Sequence, residues 1–428
     1  MRDSLRTFFV LASLVPALAF ADRPVIEISG ANFRPMPLAD AAPMTQDDGA
    51  RAHAAELDEA LAFDLAACGL FQVLDRKSFL SDAKEGITAG SINFANWTNV
   101  GAEALVKTQL ASDGDRLRAD LRLFTVGTGK EELKVSHDAP AKDARRLAHF
   151  LANAVYRYFT REAGPFETHL VFGRKTAQGK DVMLSDWDGK NSVPVAPGGL
   201  NVLPTLGPDG TVAFTSYRLG KPDLFAQRPG GQPTVLVHAG RMATGAAYSP
   251  DGKRLAYSLA DGEAAQLWIA SADGSSPRQV TSTPYFINSS PSWSPDGKRL
   301  AFVSTRGGTP QIYVMPADGG EARRLTFQGN YNQTPDWSPR GDLIAFTARD
   351  ERNAFDLFTV SVDTGKVTRL TQDASNNEEP SFSPNGRLIV FTSIRNGWPQ
   401  LFVMTFEGNS QMALPVDKGA YSTPDWGP

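Results

Sequence analysis

A short phrase, Pro-x-aromatic-Ser-Pro-x-Gly, recurs along most of the chain: PSWSPDG at 291–297, PDWSPRG at 335–341 and PSFSPNG at 380–386. PTLGPDG at 204–210 and AAYSPDG at 246–252 are weaker copies, and YSTPDWGP at 421–428 carries the front of another. The second proline of each copy falls at Pro208, Pro250, Pro295, Pro339, Pro384 and Pro428, so successive copies stand 42, 45, 44, 45 and 44 residues apart. Repetition at roughly 40 to 45 residues marks propeller blades, because one four-stranded unit cannot bury both faces alone and must stack on neighbours.

The copy at Pro291 reads as four short strands: Pro291 to Ser294, Arg299 to Thr305, Gln311 to Met315 and Ala322 to Thr326. The first turn is Ser-Pro-Asp-Gly, where proline presets φ and glycine suits the last position. Residues 166–200 supply FETHLVFG, DVMLSDWDG and SVPVA, which match strands two to four but lack a strand one. YSTPDW has only strand one. The expectation is six blades, with the C-terminal strand completing the blade begun near Phe166; five blades and a loose tail is the alternative. Trp293, Trp337, Phe382 and Trp426 share one blade position and are expected to pack between blades.

Ahead of the propeller lie two further parts. Residues 1–21 carry Arg2 and Arg6, an apolar run from Thr7 to Ala19, and Ala19-Phe20-Ala21, the pattern of a secretory signal peptide cleaved after Ala21. The apolar run is too short to span a bilayer, and no later stretch approaches the roughly 20 residues that spanning needs. Residues 22–163 mix helix and strand patterns. Ala54, Leu57, Leu61, Leu65 and Cys68 recur on one helix face before Gly69, and FQVLD follows as a strand. Gly101 to Lys107 reads as a short helix or strand, and Leu117 to Val126 as a strand turning at Gly127-Thr128-Gly129. A last helix lines up Leu147, Leu151, Ala154 and Tyr158 before a hinge at Gly164-Pro165. The fold class is therefore an α/β N-terminal domain followed by an all-β six-bladed β-propeller over 164–428, closed by the C-terminal strand.

The stretches INFANWTNVGAEALVK (92–107) and RRLAHFLANAVYRYFT (145–160), joined to an exported α/β domain and this propeller, resemble the TolB family across essentially the whole chain. The resemblance implies a two-ended periplasmic adaptor of the Tol-Pal system. Its propeller would bind the peptidoglycan-associated lipoprotein Pal, and its mature N-terminus would engage the inner-membrane protein TolA. That role would help draw the outer membrane inward at division and maintain the envelope; other outer-membrane or peptidoglycan-associated proteins are further expected partners.

Composition and motifs argue against catalysis on their own. The five histidines, His53, His137, His149, His169 and His238, show no i, i+4 pair for a metal, and neither a G-x-S-x-G elbow nor a phosphate-binding loop occurs. Asp186 and Asp188 in SDWDG lack the further oxygen ligands of a calcium loop, so a turn is expected. Glu378 and Glu379 are the best acid/base candidates, yet neighbours on a strand face opposite ways. Neither cofactor nor metal is expected. The single cysteine, Cys68, excludes an intramolecular disulfide. The formal charge of −4 becomes −5 when the signal removes two Arg and one Asp, and without basic clusters nucleic acid is a poor partner.

The segment leading into each first strand lies at one mouth of the central channel. Asn288, Ser289 and Ser290; Asn332, Gln333 and Thr334; Asn376, Asn377, Glu378 and Glu379; and Tyr421, Ser422 and Thr423 are polar and alike, while Met242, Thr244 and Gly245 occupy the place in an earlier blade. Such lead-ins are polar either because they are exposed loops or because they form a recognition surface; under the resemblance they are the Pal-binding mouth. A glycan-binding mouth with Tyr285, Tyr331, Tyr421 and Trp398 as stacking rings, or an envelope hydrolase with a site across the interdomain cleft, are the other readings. By position, the resemblance makes Asp22, Arg23, Pro24, Val25, Ile26, Glu27, Ile28, Ser29, Gly30, Ala31, Asn32 and Phe33 the TolA-binding segment. Its Val25, Ile26 and Ile28 read as a strand ended by Gly30, equally able to complete its own domain or to join a partner's sheet edge. Alternation between the two, biased by Pal occupancy, is the expected behaviour.

Overall fold

The structure is a computed structural model that describes residues 34–428 apart from 81–84, 373–374 and 396. The expected signal peptide, 1–21, and the segment Asp22 to Phe33 lie outside the described residues.

The N-terminal part is a mixed sheet with two long helices on it. Its strands run in the order Phe71–Val73, Met36–Asp40, Ala104–Asp113, Arg116–Thr125 and Lys130–Pro140, the first three parallel and the rest antiparallel. Helix α1 (Asp48–Ala67) begins where Asp47 accepts a hydrogen bond from Ala50 N at 2.7 Å, satisfying one of the free amides of its first turn. The short α2 (Phe94–Asn99) lies in the INFANW stretch and precedes the strand that starts at Ala104, so the 101–107 region resolves as a turn into a strand. Helix α3 (Ala144–Thr160) buries Leu147, Leu151 and Val155 on one face and stops where Arg161 turns left-handed at φ 64°. The INFANW stretch earns its tryptophan by burial. Trp97 Nε1 donates to both Glu85 oxygens at 3.2 Å, and Glu85 is neutralised by Lys107 Nζ at 3.0 Å, so a polar trio is paired inside the domain.

The rest is six four-stranded antiparallel sheets arranged as blades. In chain order their first strands are Asn201–Leu206, Met242–Tyr248, Asn288–Trp293, Asn332–Trp337, Asn376–Phe382 and, for blade six, Tyr421–Gly427. Blade six is composite: Tyr421–Gly427 pairs antiparallel with His169–Thr176, which continues to Gly179–Asp186 and Val193–Ala196. The six-bladed reading and its closure by the C-terminal strand hold. The repeated turn explains the repeated letters. In blade three Ser294 Oγ donates to Asp296 Oδ1 at 2.6 Å and accepts from Arg299 N at 2.9 Å, while Gly297 takes φ 64° and donates to Ser294 O.

The aromatic of each repeat lies between blades, as expected. The guanidiniums of Arg254 and Arg299 sit over the rings of Trp293 and Trp337 in the following blade, and Trp293 Nε1 donates back to Ala247 O at 3.0 Å. Trp426 is 6% exposed, stacks on Trp187 at 5.7 Å and donates to Thr168 Oγ1 at 2.7 Å.

Antiparallel alternation gives the propeller two different faces. Starts of first strands share one face with the second-to-third connections; the Ser-Pro-x-Gly turns share the other. The N-terminal domain packs on the turn face. Glu162, just after α3, takes Arg387 at 2.6 and 2.8 Å and Arg340 at 3.2 Å, both from such turns, and Asn385 donates to Ala163 O. Beside them α1, α3 and the Trp187-Asp188 turn meet in a buried polar knot. His149 Nδ1 lies 2.7 Å from Asp64 Oδ2, Trp187 Nε1 donates to Asp64 Oδ1 at 3.0 Å, and Arg145 Nε donates to Asp188 Oδ2 at 2.6 Å. One hydrophobic core runs from α1 and α3 to Trp187 and Trp426, so the two parts share packing.

Candidate protein-binding face

The face away from the N-terminal domain carries the first-strand lead-ins, and each lead-in has the same build. A residue in the left-handed region breaks the strand: Leu203 (φ 51°), Gly245 (64°), Ser290 (52°), Thr334 (47°), Glu379 (60°) and Thr423 (52°). The pairing register slips at each of these points, which turns the following residue toward the axis. Only glycine adopts this conformation freely, so at five blades a side chain is held there by the surrounding sheet. Together with the next two residues of each blade, these six line the central channel, about 160 Å³ of free volume.

Four expected mouth residues are not on offer to a partner. Asn288, Asn332, Asn377 and Tyr421 are buried. Each asparagine instead latches its blade to the preceding one. Asn332 Nδ2 donates to Gln311 Oε1 at 2.8 Å, Asn377 Nδ2 to Asp356 Oδ1 at 2.9 Å, and Asn288 Nδ2 to Gln266 Oε1 at 3.2 Å. A thriftier polar residue could not do this, since the amide also accepts, as Asn288 Oδ1 does from Ser304 Oγ at 2.8 Å. Tyr421 packs its ring on Phe172 and donates to Asp417 O, which also withdraws it as a stacking ring for a glycan. The sequence shows a polar lead-in in four of the blades; polarity required by burial and polarity offered to solvent look identical there.

The remaining mouth residues, Thr244, Gly245, Ser289, Ser290, Gln333, Thr334, Asn376, Glu378, Glu379, Ser422 and Thr423, are half-buried and Met242 is exposed. Glu379 bridges to blade six by accepting from Thr423 N at 2.5 Å, and also takes Thr392 Oγ1 at 2.7 Å. Glu378 is raised above its usual range by burial and by the charge of Glu379. One step deeper, Asp336 and Asp425 line the channel. Asp336 accepts from Phe382 N at 2.7 Å and Asp425 from Leu206 N at 2.7 Å, each reaching the next blade around the ring. Ser292 and Ser381 do the same for Trp337 N and Trp426 N. Burial lifts the Asp336 carboxyl to about 7, and the neighbouring Asp425 charge adds to it; Asp425 is raised chiefly by burial.

The composition of this face is apolar around its polar mouth. Among the described residues, apart from Leu80, Val193 and Val235, every exposed large apolar side chain lies on a lead-in or a second-to-third connection of this face, with Tyr285 88% and Phe327 72% exposed. Sequence reasoning singled out Tyr285 and Trp398 but missed Leu219 and Phe327, because a lone apolar letter in a loop carries no periodicity to read. Among the described residues no group of three or more His, Cys, Asp or Glu is placed to hold a metal ion. Asp186 and Asp188 serve the interdomain packing, through Arg146 and Arg145 respectively.

Residues 156–428 match the TolB beta propeller domain, and residues 24–132 match the TolB amino-terminal domain. The chain belongs to the TolB family. Among relatives, it is 64% identical over 419 residues to the Tol-Pal system protein TolB of Myxococcus xanthus, covering 98% of this chain and 97% of that one. It is 46% identical over 431 residues to the Tol-Pal system protein TolB of Anaeromyxobacter dehalogenans, covering 100% of this chain and 99% of that one. Its fold is similar to the crystal structure of TolB from Acinetobacter baumannii, with a TM-score of 0.78, 23% identity, and coverage of 92% and 97%. TolB membership makes it a Tol-Pal system component and accounts for both parts of the chain. These relatives are named as system components and not as enzymes. No described helix is long and apolar enough to cross a membrane.

Proposed function

We propose that this chain is a non-catalytic periplasmic adaptor of a Tol-Pal system. Its signal peptide, 1–21, is removed; its N-terminal domain, 22–163, carries the TolA-binding segment Asp22 to Phe33; and its propeller, 164–428, binds the lipoprotein Pal through the mouth face. By joining the two it supports outer-membrane invagination at division and envelope integrity. The observation that carries this reading is the division of faces. The N-terminal domain occupies the turn face through Glu162, Arg340 and Arg387, which leaves free the mouth face and its exposed aromatic rings. An exposed apolar field rimmed by polar groups suits a protein partner, and a few such rings supply most of an interface's energy.

The test is calorimetric. The chain without 1–21 is titrated with the soluble domain of Pal from the same organism. Tyr285→Ser with Phe327→Ser is expected to weaken binding by about tenfold or more, in line with loss of two interface aromatics. Deleting 22–33 is expected to abolish TolA binding while leaving Pal binding in place. Wild-type affinity for Pal in the double variant, or TolA binding that survives the deletion, overturns the corresponding half.

A further inference from the structure

The blades are built alike, so a departure in one of them is informative. On the mouth face, the third strand of blades one to five presents an aromatic ring at one register position: Phe225, Trp268, Tyr313, Phe358 and Phe402. In four of these the chain lays its own guanidinium over the ring. Arg218 lies 4.8 Å from the Phe225 centroid, Arg306 5.1 Å from Tyr313, Arg395 4.2 Å from Phe402 and Arg369 5.7 Å from Phe358. Arg218, Arg306 and Arg395 come from the connection after strand two, and Arg369 from strand four, directly across from Phe358.

Blade two lacks both sources. At the place in the repeat where blade three has Arg306, it has Asp261; across from Trp268, where blade four has Arg369, it has the neutral Gln279. Among the described residues no cation lies over Trp268. The space left is a groove of about 600 Å³ lined by Trp268, Tyr285, Asp261, Glu263, Gln279 and Arg241. Trp268 forms its half-buried side, and Tyr285 stands 88% exposed at its rim with φ 68°, a conformation that costs a bulky side chain. The hairpin tip adds two exposed carboxylates, Asp261 and Glu263. Among the described residues that line the groove the one cation is Arg241, which touches Asp261 only loosely, at 3.4 Å with both side chains exposed.

An aromatic face with carboxylates beside it recognises an organic cation, and a planar guanidinium stacks there better than an ammonium. We propose that this groove is an open receptor for an arginine side chain offered by a protein partner on the mouth face, which completes in blade two the stack that its sister blades make internally. The partner's docking side rests on the mouth-face reading above; the receptor itself stands on the blade comparison.

The experiment uses 5-fluorotryptophan-labelled protein and fluorine NMR, with the Trp268 signal identified by its loss in Trp268→Phe. The probes are acetyl-Gly-Arg-Gly-amide and its citrulline counterpart, which keeps the shape and removes the charge. A saturable shift of the Trp268 signal is expected with the arginine peptide, and about tenfold weaker binding with citrulline, the scale of a partly desolvated cation–ring contact. Asp261→Asn, a surface change that leaves the fold intact, is expected to weaken the arginine peptide about threefold or more, and Arg241→Ala to strengthen it. Equal shifts for the two peptides, no shift, or an unchanged Asp261→Asn overturns the receptor. If the peptide binds and Pal does not, the mouth-face reading falls and the receptor stands; if Pal binds without any peptide shift, the receptor falls and that reading stands.

Discussion

Ala348 breaks a small rule that blades one, three and five keep, where an asparagine of the first strand faces a serine of the second. Where Asn288 faces Ser304 and Asn201 faces Ser216, the serine hydroxyl donates to the asparagine carbonyl at 2.8 and 2.7 Å. In blade four Asn332 faces Ala348, and Asn332 Oδ1 is buried without a hydrogen-bond partner. A buried acceptor left unpaired forfeits what a hydrogen bond returns, so Ala348→Ser is expected to stabilise the protein by about 1 kcal/mol, seen as a raised midpoint in urea unfolding. A lowered midpoint would mean that Asn332 has another partner in solution. The latch itself could not be read from the letters. An asparagine ahead of a strand announces only that it is polar, and its partners Gln311 and Asp356 belong to the preceding blade, distant in sequence. His149 shows the same limit. In sequence it is one of five scattered histidines, whereas in the fold it meets Asp64 and Trp187 between the two domains; burial pushes it down, but the charge and hydrogen bond of Asp64, joined by the charges of Asp188 and Asp186, together raise it above the usual histidine range.

At the level of elements, the six first strands form a ring that is tied together near its axis. Asp336 and Asp425 are parts of that tie, each accepting a main-chain N–H from the next blade. The Asp336 carboxyl, raised from 3.8 to about 7, keeps its proton in the folded protein over a range where the unfolded chain has released it. The folded state therefore binds more protons between about pH 4 and 7, and stability falls as pH rises through that window. Asp336→Asn retains an oxygen for Phe382 N and removes the titration, so its stability is expected to decline less between pH 5 and 8 than that of the parent. Asp40 and Asp64 are displaced upward as well, to about 7 and about 6, so the readout is the difference between the two proteins in denaturant midpoints across pH. Identical profiles would show that Asp336 is ionised throughout. Strand boundaries were legible in the repeat except at the mouth, where the first strand of blade three starts at Asn288 and not at Pro291. The cause is the left-handed residue before each proline: it looks like a loop in sequence, yet the sheet resumes on its far side.

For the whole molecule, the spacing of the prolines was enough to give six blades and to assign the last strand to the first-begun blade. It could not give the side on which the N-terminal domain sits, because that depends on Glu162, Asp64 and Trp187 meeting across long stretches of chain. Ending the chain at Ala420 removes Tyr421–Gly427, and with it the inner strand of blade six and the Trp426–Trp187 stack. Loss of a buried aromatic alone costs about 3 to 5 kcal/mol, a large share of the roughly 5 to 15 kcal/mol that holds a typical domain. The shortened chain is expected to melt lower by roughly 10 °C or more and to lose cooperativity across both parts, as followed by circular dichroism. An unchanged melt would show that blade six does not need its seventh-hour strand.

The late position of that strand also orders events in time. A chain made from its amino end presents Phe166 to Ala196 long before Tyr421, so the ring stays open, with blade six lacking its inner edge, until the closing residues arrive. Premature termination or a late frameshift then yields a molecule that cannot close, and its exposed strand edges mark it for proteolysis. Completeness of synthesis is in this way a condition of folding, and the population that reaches a partner is filtered for full-length copies before any binding takes place.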